Sequence, residues 1–263
     1  MQVGATDTAI ESLARRDRII VLGALALLLI LAWAYTVVMA RDGSEAHQHG
    51  RIALTAWKPW TATEAAFMLL MWIVMMVAMM IPSAAPMLFA FARISRARGR
   101  ASAPVSASGA FLLGYLALWS AFGLFATAAE GLLHAAMLLS PAMASVSPTF
   151  SGAVLIAAGI YQFTPIKDAC LAKCRMPLGF LLTEWRDGSR GAFVMGLRHG
   201  LYCVGCCWLV MALLFVAGVM NLVWIALLAL VVLAEKALPY GQSVGRVLGI
   251  AAIVWGAWLL ALA

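Results

Sequence analysis

Long runs of apolar residues alternate with short polar segments along most of the chain. A membrane-spanning helix needs about 20 predominantly apolar residues, and seven segments approach or exceed that length, the fourth being the shortest. These segments are residues 19–39, 64–90, 109–133, 150–162, 191–219, 221–238 and 244–263. The pattern therefore predicts an all-α, polytopic membrane helix bundle with about seven transmembrane helices.

The composition agrees with this pattern. Hydrophobic residues make up 65% of the 263 residues and charged residues 11%, with a mean hydropathy of +0.98. A typical soluble domain has about 25% charged residues. A soluble fold of this size has no means of burying so much apolar surface, which excludes a soluble enzyme, a disordered chain and a nucleic-acid-binding domain.

The basic residues predict the orientation of the bundle. If the N-terminus is inside, 14 of the 18 Lys and Arg residues lie in cytoplasmic segments, 3 lie outside and Arg198 lies within a span. Cytoplasmic loops of membrane proteins carry such an excess of positive charge. We therefore expect an N-in, C-out protein of the bacterial inner membrane, with a cytoplasmic segment at residues 1–18 and one transmembrane domain at residues 19–263.

The first apolar segment has two interpretations. Basic residues precede it and small residues follow it, as in a signal peptide. Its apolar stretch of about 21 residues exceeds the roughly 7–15 of a signal sequence. We expect it to be retained as an anchor.

Cysteines are concentrated in the fifth predicted span. Cys203, Cys206 and Cys207 follow His199 at intervals that place all four side chains on one stripe of a helix. Soft thiolates select Cu(I), zinc or iron–sulfur clusters, and imidazole suits copper and zinc. A buried cysteine is also an ordinary small apolar residue. The clustering favours a metal site, with Cu(I) as the expected ion and zinc as the second choice.

A second pair of cysteines lies at the predicted cytoplasmic surface. Cys170 and Cys174 are one helical turn apart, after Pro165, which should break the fourth helix. The neighbouring Lys167, Lys173 and Arg175 favour the thiolate forms. The alternative interpretation is two juxtamembrane cysteines with no metal.

Methionines mark the second predicted span. Met75, Met76, Met79 and Met80 lie on adjoining stripes of a helix that also contains Pro82 and Pro86. Thioethers are soft, neutral ligands for Cu(I), although methionine also fills gaps in ordinary cores. If this helix packs against the fifth near the end of the fourth, its methionines complete a shared site for which Cys170 and Cys174 provide a cytoplasmic exit.

Ionisable residues inside the predicted spans are further candidates. Glu130 and His134 are one turn apart on the third span and are placed to bind a proton or a metal, or to pair with each other. Glu235 and Lys236, near the inner end of the sixth span, form either an ion pair or part of a site.

Three segments carry a resemblance to a known family. They resemble motifs of a bacterial family of predicted metal-binding integral membrane proteins, over residues 64–258. The segments run from Met71 to Ser83, from Tyr161 to Pro177 and from Gly200 to Trp208. The resemblance implies an inner-membrane helical protein.

These observations leave three functions open. The first is Cu(I) handling in the membrane, by transport or by delivery to a cuproenzyme, with a metallochaperone or the cuproenzyme as partner. The second is thiol–disulfide redox, which the reducing cytoplasm disfavours for inward-facing cysteines. The third is a structural subunit of a larger complex. The sequence contains no phosphate-binding glycine loop and no nucleophile elbow, so we do not expect an enzyme.

Overall fold

The computed structural model describes residue 19 and residues 22–41, 60–98, 104–140 and 143–263. In these residues the chain forms helices joined by turns, with one isolated β-bridge between Leu139 and Ser145. The predicted all-α class is confirmed, while the predicted cytoplasmic segment, residues 1–18, lies outside the described residues. The helices are α1 (Leu22–Arg41), α2 (Ala62–Ala97), α3 (Pro104–Ala135), α4 (Pro148–Tyr161), α5 (Pro165–Arg175), α6 (Pro177–Glu184), α7 (Gly188–Ala212), α8 (Leu214–Ala217), α9 (Leu222–Ala237) and α10 (Gly241–Ala261).

Several helices are long and apolar enough to cross a membrane. Among the described residues, five segments qualify: α1, α2, α3, α7 continued by α8, and α10. Helices α4 and α5 qualify as a pair, although they are bent by 64° at the break between them. Helix α9 has 16 residues and measures roughly 24 Å. The described residues thus contain five helices that could cross a membrane, or six spans if the bent pair counts as one, where the sequence predicted about seven.

Proline and a polar cap set the bend between α4 and α5. Pro165 occupies the start of α5, where its missing N–H costs nothing. The side chain of Thr164 caps the same end by accepting a hydrogen bond from the Lys167 N–H, at 3.4 Å. The predicted break at Pro165 is therefore confirmed, and α5 turns to lie against α7.

Helix α2 behaves differently at its prolines. Pro82 and Pro86 both lie inside one continuous helix of 36 residues. Met75, Met79 and the residues beyond Pro86 therefore belong to one element.

Helices α3 and α7 approach so closely that their backbones touch. A Cβ added to Gly196 would overlap the carbonyl oxygen of Phe111, and one added to Gly114 would overlap that of Phe193. Small residues allow such close packing between membrane helices. This close packing places Tyr115 on α3 beside Gly200 and Cys203 on α7.

The contacts between three packed helix pairs give the relative directions of their helices. Trp72, early in α2, bonds to Glu130, late in α3, so α2 and α3 are antiparallel. Helices α3 and α7 are parallel, since Gly196 and Gly200 meet successive turns of α3. Helix α10 packs antiparallel to α4, because Gly152 lies beside Leu260 near the end of α10. These directions are those of successive spans that cross a membrane back and forth.

Candidate metal centre

Three buried thiols lie on one face of α7. The side chains of Cys203, Cys206 and Cys207 are at most 1% exposed. The Cys206 and Cys207 thiols donate to the backbone carbonyl of Cys203, at 3.1 and 3.0 Å. Both thiols therefore turn back toward Cys203, as the spacing of the three residues predicts.

A fourth thiol joins them from α5. Cys174 is 8% exposed, and its thiol interacts with those of Cys203 and Cys206, while Cys207 interacts with the same two. We call Cys174, Cys203, Cys206 and Cys207 the thiol cluster. The structure thus brings together two cysteine groups that are separated by about 30 residues of sequence.

Cys170 lies at the edge of the thiol cluster. All five cysteines are described, and Cys170 alone among them is partly exposed. Its Sγ occupies the space beside Gly205 on α7, where an added Cβ would lie 2.8 Å from it. Tyr161, at the end of α4, donates to the Gly205 carbonyl at 2.5 Å. Because Gly205 has no side chain, Cys170 approaches α7 one turn away from Cys174.

A buried lysine contacts the thiol cluster. Lys236 Nζ lies 2.9 Å from Cys203 Sγ and 3.1 Å from Ser83 Oγ, so it joins α9 to both α7 and α2. The sequence offered an ion pair between Glu235 and Lys236. In the structure Glu235 pairs instead with Lys167 at 2.7 Å, and Lys236 turns to the sulfur.

The Lys167–Glu235 pair is itself buried. Both side chains are at most 2% exposed, and Gln162 accepts a further hydrogen bond from Lys167 Nζ. This network neutralises Glu235 and Lys167 together. Within the described residues it leaves the ammonium of Lys236 facing the thiol cluster without a carboxylate.

A tyrosine also contacts Cys203. The Tyr115 hydroxyl lies 3.1 Å from Cys203 Sγ and donates to the Met80 carbonyl at 3.2 Å. Tyr115 was not predicted from the sequence, and Lys236 was predicted only as half of an ion pair with Glu235 or as part of a site. In each case the sequence shows a single polar residue on an otherwise apolar helix face. Such a residue is a candidate site residue, but the sequence does not indicate which group it contacts.

The predicted methionines are all interior. Met75, Met76, Met79 and Met80 are at most 1% exposed and belong to the same core as the thiol cluster. Helix α2 packs against α3, α9 and α6, so the expected close packing of the second span against the fifth, α7, is not found in the described residues. The Met80 turn is tied to Cys203 by Tyr115 and Lys236. The methionines and the thiol cluster therefore share one core, in which Tyr115 and Lys236 connect the two helices.

His199 occupies an aromatic pocket one turn before Cys203. It is 2% exposed, and its ring centroid lies 5.6 Å from those of Tyr115 and Phe180 and 6.0 Å from that of Phe111. Its Nδ1 has no hydrogen-bond partner in the described part of the chain. The imidazole thus retains a free nitrogen next to the thiol cluster.

Glu130 and His134 do not pair with each other. Glu130 Oε2 accepts a hydrogen bond from Trp72 Nε1 at 2.6 Å, and the His134 ring stacks on Trp60 at 6.1 Å between centroids. Both residues lie at the end of α3 away from the thiol cluster. Glu130 and His134 are therefore not part of the thiol cluster.

Within the described ranges, no three His, Cys, Asp or Glu side chains stand ready-made around a metal position. The thiols are hydrogen-bonded to a carbonyl instead, so binding requires them to rotate toward a shared ion. Two thiolates are enough for Cu(I), and this cluster provides four thiols.

A comparison with protein families decides the class of this chain. A family model described as PpoB2, a copper chaperone, matches residues 69–259. The chain belongs to this copper chaperone family. The match covers nearly the region, residues 64–258, over which the sequence motifs carry their resemblance. Comparisons with curated proteins and with solved structures gave no match.

The copper chaperone match contains the whole thiol cluster. It also contains Cys170, His199, Lys236 and the four interior methionines. A copper-related function is therefore supported at the level of the family.

Proposed function

We propose that this protein binds Cu(I) at the thiol cluster inside a bacterial inner membrane and delivers it to a cuproenzyme under assembly. The observation that carries the proposal is the convergence of four buried thiols beside the ammonium of Lys236. Copper is the cargo in this scheme. The membership of the copper chaperone family supports it.

The ligand chemistry of the thiol cluster suits Cu(I). Soft thiolates prefer this ion, and the methionines of the same core are neutral thioethers that suit it as well. Cys203 and Cys206 on α7 face Cys174 on α5, so ligands approach an ion from two helices. Rotation of the Cys206 and Cys207 thiols away from the Cys203 carbonyl frees them for coordination.

The charges balance when Cu(I) is bound by two thiolates. Such a complex carries one negative charge, and an uncompensated charge in a dry core is costly. Lys236 supplies one positive charge 2.9 Å from Cys203 Sγ. The bound site is then neutral as a whole.

Cys170 provides a means of release. It is partly exposed and lies one turn from Cys174 on α5. Because the chain has no motif for ATP hydrolysis, transfer proceeds by ligand exchange, in which a thiol of the partner replaces one ligand at a time. We propose that a metallochaperone or the cuproenzyme docks near Cys170.

The directions of the three packed helix pairs are those expected for seven spans. Five long segments, the bent α4–α5 pair and α9 give an odd number of crossings. With the basic segments in the cytoplasm, the N-terminus lies inside and the C-terminus outside.

Metal analysis of the purified protein tests the copper site. The wild type in detergent should retain about one Cu(I) per chain, and the C203S/C206S/C207S variant should retain less than about a tenth of that, because hydroxyls are poor ligands for a soft ion. The matched control is C170S, which keeps the thiol cluster and should keep its copper.

Full copper stoichiometry in the triple variant would overturn this proposal. Zinc in place of copper in the wild type would overturn the choice of ion. A metal-free wild type whose Cys170 and Cys174 become resistant to alkylation after mild oxidation would favour the thiol redox alternative.

Reporter fusions test the orientation. A periplasm-dependent phosphatase fused after Ala263 should be active, and the same reporter fused after Arg98, behind α2, should be inactive. Equal activity of the two fusions would contradict an odd number of crossings between these points. Reversed activities would contradict the N-in orientation.

A further inference from the structure

Among the described residues, only one of the two carboxyl oxygens of Glu130 has a hydrogen-bond partner. It is 1% exposed, and its Oε2 accepts from Trp72 Nε1 at 2.6 Å. Its Oε1 is buried and has no hydrogen-bond partner among the described residues. No described lysine or arginine forms an ion pair with it.

The surroundings of Glu130 leave a hydrogen bond unmade whether its carboxyl group is ionised or protonated. An ionised Oε1 lacks a donor, and a protonated Oε1 lacks an acceptor. Buried polar atoms in native proteins nearly always have a partner, and ionisable residues within a membrane are by default functional. A bound cation at Oε1 resolves both the unmet bonding and the charge.

Methionines share the face of α2 that meets Glu130. Trp72 contacts Glu130, and Met68, Met75 and Met76 are four residues before, three after and four after Trp72 on the same helix face. Met68 is partly buried toward the start of α2, and Met75 is buried one turn beyond Trp72. Soft thioethers thus accompany the carboxylate.

We propose that Glu130, together with the thioethers of Met68 and Met75, is a staging site for Cu(I) on its way to the thiol cluster. This inference rests on the proposed function. Thioethers are neutral, so a Cu(I) ion that they hold keeps its positive charge, and the carboxylate balances that charge. The staging site is then neutral when occupied, as is the thiol site beside Lys236.

The staging site at Glu130 and the thiol cluster lie at separate positions along the bundle. Glu130 lies 15 residues beyond Tyr115 on α3, which corresponds to roughly 22 Å along the helix. Tyr115 contacts Cys203. The stripe of Met75, Met76 and Met79 on α2 covers the interval between the two levels. An ion entering at the Glu130 end would pass along these thioethers before it reaches the thiols.

The rate of copper loading tests the staging site. Cu(I) from a weak chelator is added to right-side-out and inverted membrane vesicles from the same cells, and the tagged protein is then recovered and its copper measured with time. E130Q should slow loading at least about tenfold in right-side-out vesicles, where an entering charge has lost its counter-charge. Loading in inverted vesicles and the final copper content should match those of the wild type.

Two further variants keep the result interpretable. M68L/M75L preserves side-chain volume and removes the thioethers, so it should slow loading on the same side. E64Q makes the same substitution at the exposed start of α2 and should leave the rate unchanged. Loading by E130Q within twofold of the wild type in right-side-out vesicles, or equal slowing in both vesicle types, would overturn the staging site. A wild type that takes up no copper would instead overturn the proposed function.

Discussion

Lys236→Met is expected to weaken Cu(I) binding by roughly 150- to 5,000-fold. Lys236 Nζ lies 2.9 Å from Cys203 Sγ in the core. Without it, a Cu(I) ion held by two thiolates leaves one uncompensated negative charge, and breaking a buried charge pair costs about 3–5 kcal/mol. Titration against a chromophoric Cu(I) chelator measures the change in Kd. The stoichiometry should remain that of the wild type, because the thiols are still present.

Lys173→Met is the matched control. Lys173 is adjacent to Cys174 in sequence but is partly exposed, where solvent screens its charge. Its loss should change Kd by less than about threefold. If the two lysine variants bind Cu(I) equally well, the ammonium of Lys236 has no role in holding the ion.

Gly196→Ala is expected to destabilise the protein strongly. The new Cβ would overlap the Phe111 carbonyl oxygen, which is backbone and has no rotamer with which to move aside. Helices α3 and α7 must then separate, at a cost at or above the upper end of the ~1–3 kcal/mol typical of overpacking. A clear fall in the midpoint of thermal unfolding in detergent, with loss of copper at lower temperature, is the expected result.

Gly109→Ala makes the same change on α3 where the added Cβ meets nothing within 4 Å. Alanine is the better helix former by about 1 kcal/mol. This variant should be as stable as the wild type or more stable. An unchanged midpoint for Gly196→Ala would mean that the α3–α7 contact tolerates a wider spacing than the structure has.

The contrast between these two pairs separates binding from folding. Lys236→Met removes a charge and should lower affinity, while the backbone contact between α3 and α7 stays intact. Gly196→Ala leaves every ligand in the sequence but moves Tyr115 relative to Cys203. If the thiol cluster is the copper site, the first variant weakens binding in a folded protein, and the second loses copper together with its structure.

Local patterns predicted the elements of the fold. Long apolar runs indicated the helices, and Pro165 marked the start of α5 because proline fits the first turn of a helix and fits poorly within one. Helix α2, in contrast, continues through Pro82 and Pro86. The surroundings of those prolines, which a local rule does not see, sustain the helix.

Local patterns also grouped part of the site. The spacing of His199, Cys203, Cys206 and Cys207 placed them on one helix stripe, and all four are buried on α7. The same reasoning left open whether Glu130 and His134 pair. They do not, because Trp72 on another helix offers Glu130 a donor.

The sequence by itself determined which segments are helices, which residues each helix presents on a common face, and where soft ligands are concentrated, because these depend on spacing along one chain. Only the tertiary structure decided which groups meet. Glu235 pairs with Lys167 and not with its neighbour Lys236, which instead reaches Cys203, 33 positions away. Successive residues on a helix point in directions about 100° apart. The partners of buried charges are therefore set by how helices pack against one another.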